Sequence, residues 1–67
     1  MLNMKIPVEN NLDEIVVELE RIGYKPWCVE WVGVSIVVTN KKGCYTTFHK
    51  DVWDSETPTT LAELKEM

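Results

Sequence analysis

The run Asn40-Lys41-Lys42-Gly43 constrains this chain more than any other four residues. Asn, two permissive residues and then Gly suit a type I turn closed by a glycine at positive φ, the three-residue hairpin loop with a bulge. Such a loop pairs Asn40 with Cys44, and therefore Val37 with Thr47 and Ile36 with Phe48. Alternation along the two strands then puts Val34, Ile36, Val38, Thr46 and Phe48 on one face. Ser35, Val37, Thr39, Tyr45, Thr47 and His49 fall on the other. A half-buried antiparallel pair turns its apolar face inward, so the first set is expected to face the core.

The stretch Trp27–Asp51 is expected to form an antiparallel sheet. Gly33 divides what would otherwise be an unusually long strand. With Val32-Gly33 as a second tight turn, Trp31 faces Val34, Val29 faces Ile36 and Trp27 faces Val38, giving a three-stranded meander with Trp27 and Trp31 in the core. The competing geometry is one long strand bent by a glycine bulge at Gly33.

The clearest helix spans 11–22. Leu12, Ile15, Val16, Leu19 and Ile22 form one stripe at helical spacing. Asn11 with Glu14 matches a capping box, Asp13 and Glu14 suit the positive end of the dipole, and Gly23-Tyr24 with Pro26 matches a helix stop. This stripe is expected on the Trp27/Trp31/Ile36/Phe48 face. Residues 1–10 leave two alternatives open. Met4, Ile6 and Val8 alternate as a strand that Pro7 would confine to a sheet edge, or the segment is a frayed tail. Beyond the sheet, 52–59 is loop-like. Thr60 and Glu63 then form a second capping box for a short helix over 60–67, docked by Leu61 and Leu64. The expected fold is α+β in one domain over 1–67: a helix on one face of a three-stranded antiparallel meander, with a short C-terminal helix.

A chain of 67 residues buries only about 60% of its unfolded surface, so its core is thin. Two cysteines are too few for a disulfide scaffold, and in the meander Cys28 and Cys44 point apart. Free thiols without a signal peptide suggest a reducing, cytoplasmic setting. No apolar run approaches membrane-spanning length. The net charge of −4 is unevenly spread. Between residues 21 and 50, Arg21, Lys25, Lys41, Lys42 and Lys50 face Glu30 alone, whereas the other ten of the 11 carboxylates lie outside. A mildly basic sheet flanked by acidic helices follows. The acidic total argues against general nucleic-acid affinity, which rests on phosphate neutralisation.

No motif carries catalysis or a cofactor. In the meander His49 shares a cross-strand row with Ser35 and Glu30, the residue types of a Ser-His-acid set. An open sheet face, however, offers neither an oxyanion hole nor a dry pocket. Cys28, Cys44, His49 and Asp51 lack the close ligand spacing of zinc sites. The expectation is therefore a protein that is not an enzyme and holds no cofactor or metal. Partner contact is expected at Trp53, Tyr45, His49 and Lys50, because exposed aromatics anchor interfaces. The alternative is nucleic acid stacked on Tyr45 with Lys50 alongside. An outer face or open edge strand pairing with a second copy is a third option.

A helix, three antiparallel strands and a closing helix is also the order of double-stranded-RNA-binding domains. That family opens its second helix with a run of lysines, and Thr59–Glu66 has one lysine and two glutamates. The layout resembles small phage and prophage accessory proteins, including some anti-CRISPR inhibitors. The matching pieces are the acidic helix Leu12–Ile22, the sheet Trp27–Phe48 with its Asn40–Gly43 turn, and the acidic Asp51–Met67. The resemblance implies a module that inhibits or assists an unidentified protein partner by binding it.

Overall fold

The computed structural model describes residues 2–50 and 57–67. Its chain order is β1 (Met4–Pro7), α1 (Leu12–Ile22), β2 (Lys25–Pro26), β3 (Ile36–Thr39), β4 (Cys44–Phe48), β5 (Thr57–Pro58) and α2 (Leu61–Lys65). The α+β class holds, but the sheet is mixed and five-stranded, in the order β2-β4-β3-β1-β5. β1 and β4 flank β3 antiparallel, while β5 joins β1 and β2 joins β4 in parallel.

The hairpin forms in the expected register, with Ile36 opposite Phe48 and Val37 opposite Thr47. Asn40 builds the turn with its side chain. Its Oδ1 accepts the Lys42 and Cys44 amides at 2.9 and 3.1 Å. The Gly43 amide returns to the Asn40 carbonyl at φ 86°, in the left-handed region.

The face of the hairpin that turns inward is the reverse of the expectation. Val37, Thr39, Tyr45 and Thr47 are buried beneath the helices; on the opposite face Ile36 is also buried, as expected, at 4% exposed, while Val38 and Thr46 are half-buried and Phe48 is exposed. Buried hydroxyls are tolerated because each finds a partner. Thr39 Oγ1 accepts the Met4 amide and donates to the Leu2 carbonyl, both at 2.8 Å. Thr47 Oγ1 accepts the Glu30 amide at 2.7 Å. The Tyr45 hydroxyl donates to Glu20 Oε2 at 2.6 Å. What decides the face is β1. Ile6 pairs with Val37, so Met4 and Ile6 share the Val37 side, and the α1 stripe closes over them.

The expected meander is absent. Lys25–Pro26, not Trp27–Trp31, pairs with β4, and residues 27–35 form a loop. Cys28 at φ 55° and Gly33 at φ 71° break any extended run there. Trp27 and Trp31, expected in the core, are 62% and 56% exposed. The place beside β3 is taken by the N-terminal segment, which is an inner strand and neither a tail nor an edge. Pro7 is accommodated because β5 pairs only with Met4 and Lys5. The Val8 amide bonds to Ser35 of the β3 side, so alternation points the missing Pro7 N–H toward β5, past its end.

The core joins Met4, Ile6, Val37 and Tyr45 of the sheet to Ile15, Val16 and Leu19 of α1, Tyr24, and Leu64 of α2. The α1 stripe packs as its spacing predicts. Its start differs, because Asn11 Oδ1 accepts the Glu9 amide at 2.8 Å instead of capping the helix. The Thr60–Glu63 capping box of α2 is complete. Arg21 Nη2 donates to the Leu64 carbonyl at 2.9 Å and Lys65 lies 3.5 Å from Glu14, so charge ties the two helices together. Thr57 and Pro58, expected within a loop, form β5.

Candidate functional site

Two regions gather side chains that the fold does not need for its core. The first is the loop 27–35. It is fixed at several points along its length. The Trp27 amide donates to the Tyr45 carbonyl, the Glu30 amide to Thr47 Oγ1, and the Ser35 amide to the Phe48 carbonyl. His49 completes the hold: its Nδ1 lies 2.9 Å from the Gly33 carbonyl and its Nε2 lies 2.7 Å from Glu30 Oε2. Both neighbours are acceptors, so the two bonds are made together only by the imidazolium form, which they favour. The Gly33 carbonyl and then the Glu30 carboxylate accordingly raise the His49 pKa above its ordinary value. Glycine suits position 33, since a Cβ would make a tight 3.3 Å contact with His49 Nδ1 on a backbone at φ 71°, which side-chain-bearing residues adopt at a cost.

At the tip of this fixed loop stand Trp31 and Val32, the latter 84% exposed. Beside Trp31 is a cleft of about 470 Å³ whose rim carries Glu9 and Asp13. Ser35, His49 and Glu30 do come together, as the row of residue types suggested. They are not a catalytic set: Ser35 Oγ donates to the His49 backbone carbonyl at 2.7 Å and not to the imidazole. A serine in that bond has no base to activate it.

The second region is the sheet face turned away from the helices. Lys5 pairs with Val38, and Val38 with Thr46. Continuing the β2–β4 register by one residue sets Trp27 level with Thr46. A row Lys5, Val38, Thr46 therefore crosses β1, β3 and β4 and reaches Trp27, the residue after β2. Lys25 shares this face through its pairing with Cys44, and Phe48 follows two residues along β4 from Thr46. At the hairpin end, Trp27, Lys41, Lys42 and Cys44 with Asn3 and Asn40 line a cleft of about 590 Å³.

The partner contacts expected from the sequence are dispersed. Tyr45 cannot meet a partner, being 1% exposed in the core. Burial, then the hydrogen bond to Glu20 and its charge, push its pKa well above the ordinary value. His49 is exposed but is occupied in holding the loop, and Lys50 is exposed next to it. Trp53 lies outside the described residues, as does Asp51 of the weighed zinc set. Cys28 is exposed and Cys44 half-buried, both as free thiols. Among the described residues no group of three His, Cys, Asp or Glu could hold a metal ion, and no helix is long and apolar enough to cross a membrane. Trp27, Trp31, Val32 and Phe48 were missed as surface residues. The signal for them was Gly33 beside a β-branched residue, equally readable as a loop apex and as a strand turn. Comparison with protein-family models, curated proteins and solved structures finds no match for this chain.

Proposed function

We propose that this protein is a small interaction module that acts by binding another protein and not by chemistry, with the loop 27–35 as its contact. One observation carries this reading: Trp31 and Val32 are held out from the body on a loop fixed by backbone and side-chain bonds. A thin-cored chain gains from burying every tryptophan, each worth on the order of 2 kcal/mol or more in removed apolar surface. Leaving Trp31 outside forgoes that, and fixing its loop beforehand lowers the ordering cost of association. The partner that fits has an apolar pocket for Trp31 and Val32 and a basic rim facing Glu9 and Asp13. An accessory or inhibitor role of the phage-protein kind accords with such a module.

The test places a photo-crosslinking amino acid at position 32, with a second at the exposed Val17 as control. The expected outcome is one discrete adduct from position 32 only, lost when Trp31→Ala is added and reduced by high salt. Identical adducts from both positions, or one indifferent to Trp31→Ala, would refute the loop as the contact. A homodimeric adduct would identify the partner as a second copy.

A further inference from the structure

We infer that the outer sheet face is a binding surface for single-stranded nucleic acid, independent of the loop tip. Its chemistry is a pair of exposed aromatic rings among lysines. Trp27 directly follows β2, its amide bonded to the Tyr45 carbonyl of β4, and Phe48 ends β4; the two are 62% and 39% exposed. Adjacent bases of an extended single strand can each meet one of these rings. Sheets that present stacked aromatics with flanking cations bind unpaired nucleotides in this way. A duplex keeps its base faces stacked inside and offers the rings nothing.

The charge is placed to match. Lys42 lines the cleft beside Trp27, and Lys25 shares this face through its pairing with Cys44. Among the described residues no strand position on this face is acidic. The described carboxylates are Asp13, Glu14, Glu18 and Glu20 on α1, Glu63 and Glu66 at α2, and Glu9 and Glu30 in loops. The chain is acidic as a whole, at −4. The acidic helices nevertheless lie behind the sheet, and fields between exposed charges fade beyond about 8 Å at physiological salt. Phosphates approaching the hairpin end of this face meet Lys25 and Lys42 first. The expected surface face with Tyr45 as its stacker is thus replaced by the opposite face, with Trp27 and Phe48 in that role.

The experiment measures fluorescence anisotropy with labelled mixed-sequence DNA and RNA single strands of about 12 nucleotides, more than enough to cross one sheet face, and with the matching duplex. Binding to single strands that quenches tryptophan emission, weakens with added salt and exceeds duplex binding is expected. Trp27→Ala should weaken it by about tenfold or more, Trp27→Phe should retain most of it, and Lys25→Glu with Lys42→Glu should remove it. Trp31→Ala should bind as the parent does, which separates this surface from the loop contact. Circular dichroism verifies that each variant folds, as the exposure of these side chains predicts. The inference is overturned if neither strand binds at low salt, if the duplex binds equally well, or if Trp27→Ala binds unchanged. Equal binding of a polyglutamate peptide, indifferent to Trp27→Ala, would also overturn it and mark a mere cation patch.

Discussion

His49 connects protonation to the shape of the loop it holds. Glu30 and the Gly33 carbonyl are the groups that face its ring, and both stabilise the cation. A group whose folded pKa is raised adds stability that is fully present below its unfolded value of about 6.5 and is lost as pH rises through the folded value. The loop is therefore expected to be held firmly in mild acid and loosened in mild alkali. An NMR titration should show His49 deprotonating above the ordinary histidine range, with the amides of 30–33 shifting in step. Glu30→Gln should move the midpoint down, and an ordinary midpoint in the parent protein would contradict the clasp. The tryptophans and Tyr45 make the complementary residue-scale prediction. Trp31→Ala should change stability by under about 1 kcal/mol, because its ring is already in water. Tyr45→Ala should cost about 3–5 kcal/mol, and Tyr45→Phe only about 1 kcal/mol for the lost hydroxyl bond. Urea unfolding measures all three, and the opposite order would restore the tryptophans to the core.

Elements differ in how far their own residues determine them. The hairpin was legible because Asn40 and Gly43 form its turn with their own atoms, and the turn sets the register of both strands. The α1 stripe was legible for the same local reason. The inward face of the hairpin was not, because Thr39, Tyr45 and Thr47 look polar until their hydroxyls find Met4, Glu20 and Glu30 from distant segments. Trp27–Trp31 misled because an alternating apolar run fits a strand and an exposed aromatic loop equally well. This reaches the candidate surfaces directly: Trp27, Trp31, Val32 and Phe48 became visible as surface residues only once the face was known. The two helix starts test the distinction between local and tertiary capping. Thr60→Ala breaks a complete capping box and should cost about 1 kcal/mol. Asn11→Ala removes the bond accepted from the Glu9 amide and no helix cap, so it should cost distinctly less. Both are read as urea midpoints, and a larger loss at Asn11 would mean that its side chain caps the helix in solution.

At the scale of the whole molecule the N-terminal strand is the piece on which the rest depends. β1 lies between β3 and β5, and its Met4 and Ile6 side chains reach the middle of the core. Through Leu2 and Met4 the same segment also satisfies Tyr24 and Thr39. A domain of this size has a total stability of roughly 3–10 kcal/mol, and truncating a fully buried isoleucine to alanine removes about 2–5 kcal/mol of it. Ile6→Ala should therefore leave the protein at or near its unfolding midpoint at 25 °C, while Val17→Ala, on the exposed side of α1, should be nearly silent. Circular dichroism against urea concentration reads both. If Ile6→Ala unfolded within about 1 kcal/mol of the parent, the first ten residues would be the frayed tail that their sequence equally allowed. The sheet would then end at β3, and the row from Lys5 to Trp27 would lose its far lysine. A collapse at Ile6 instead requires β1 in place, and with it Lys5 on the face where the nucleic acid is expected to lie.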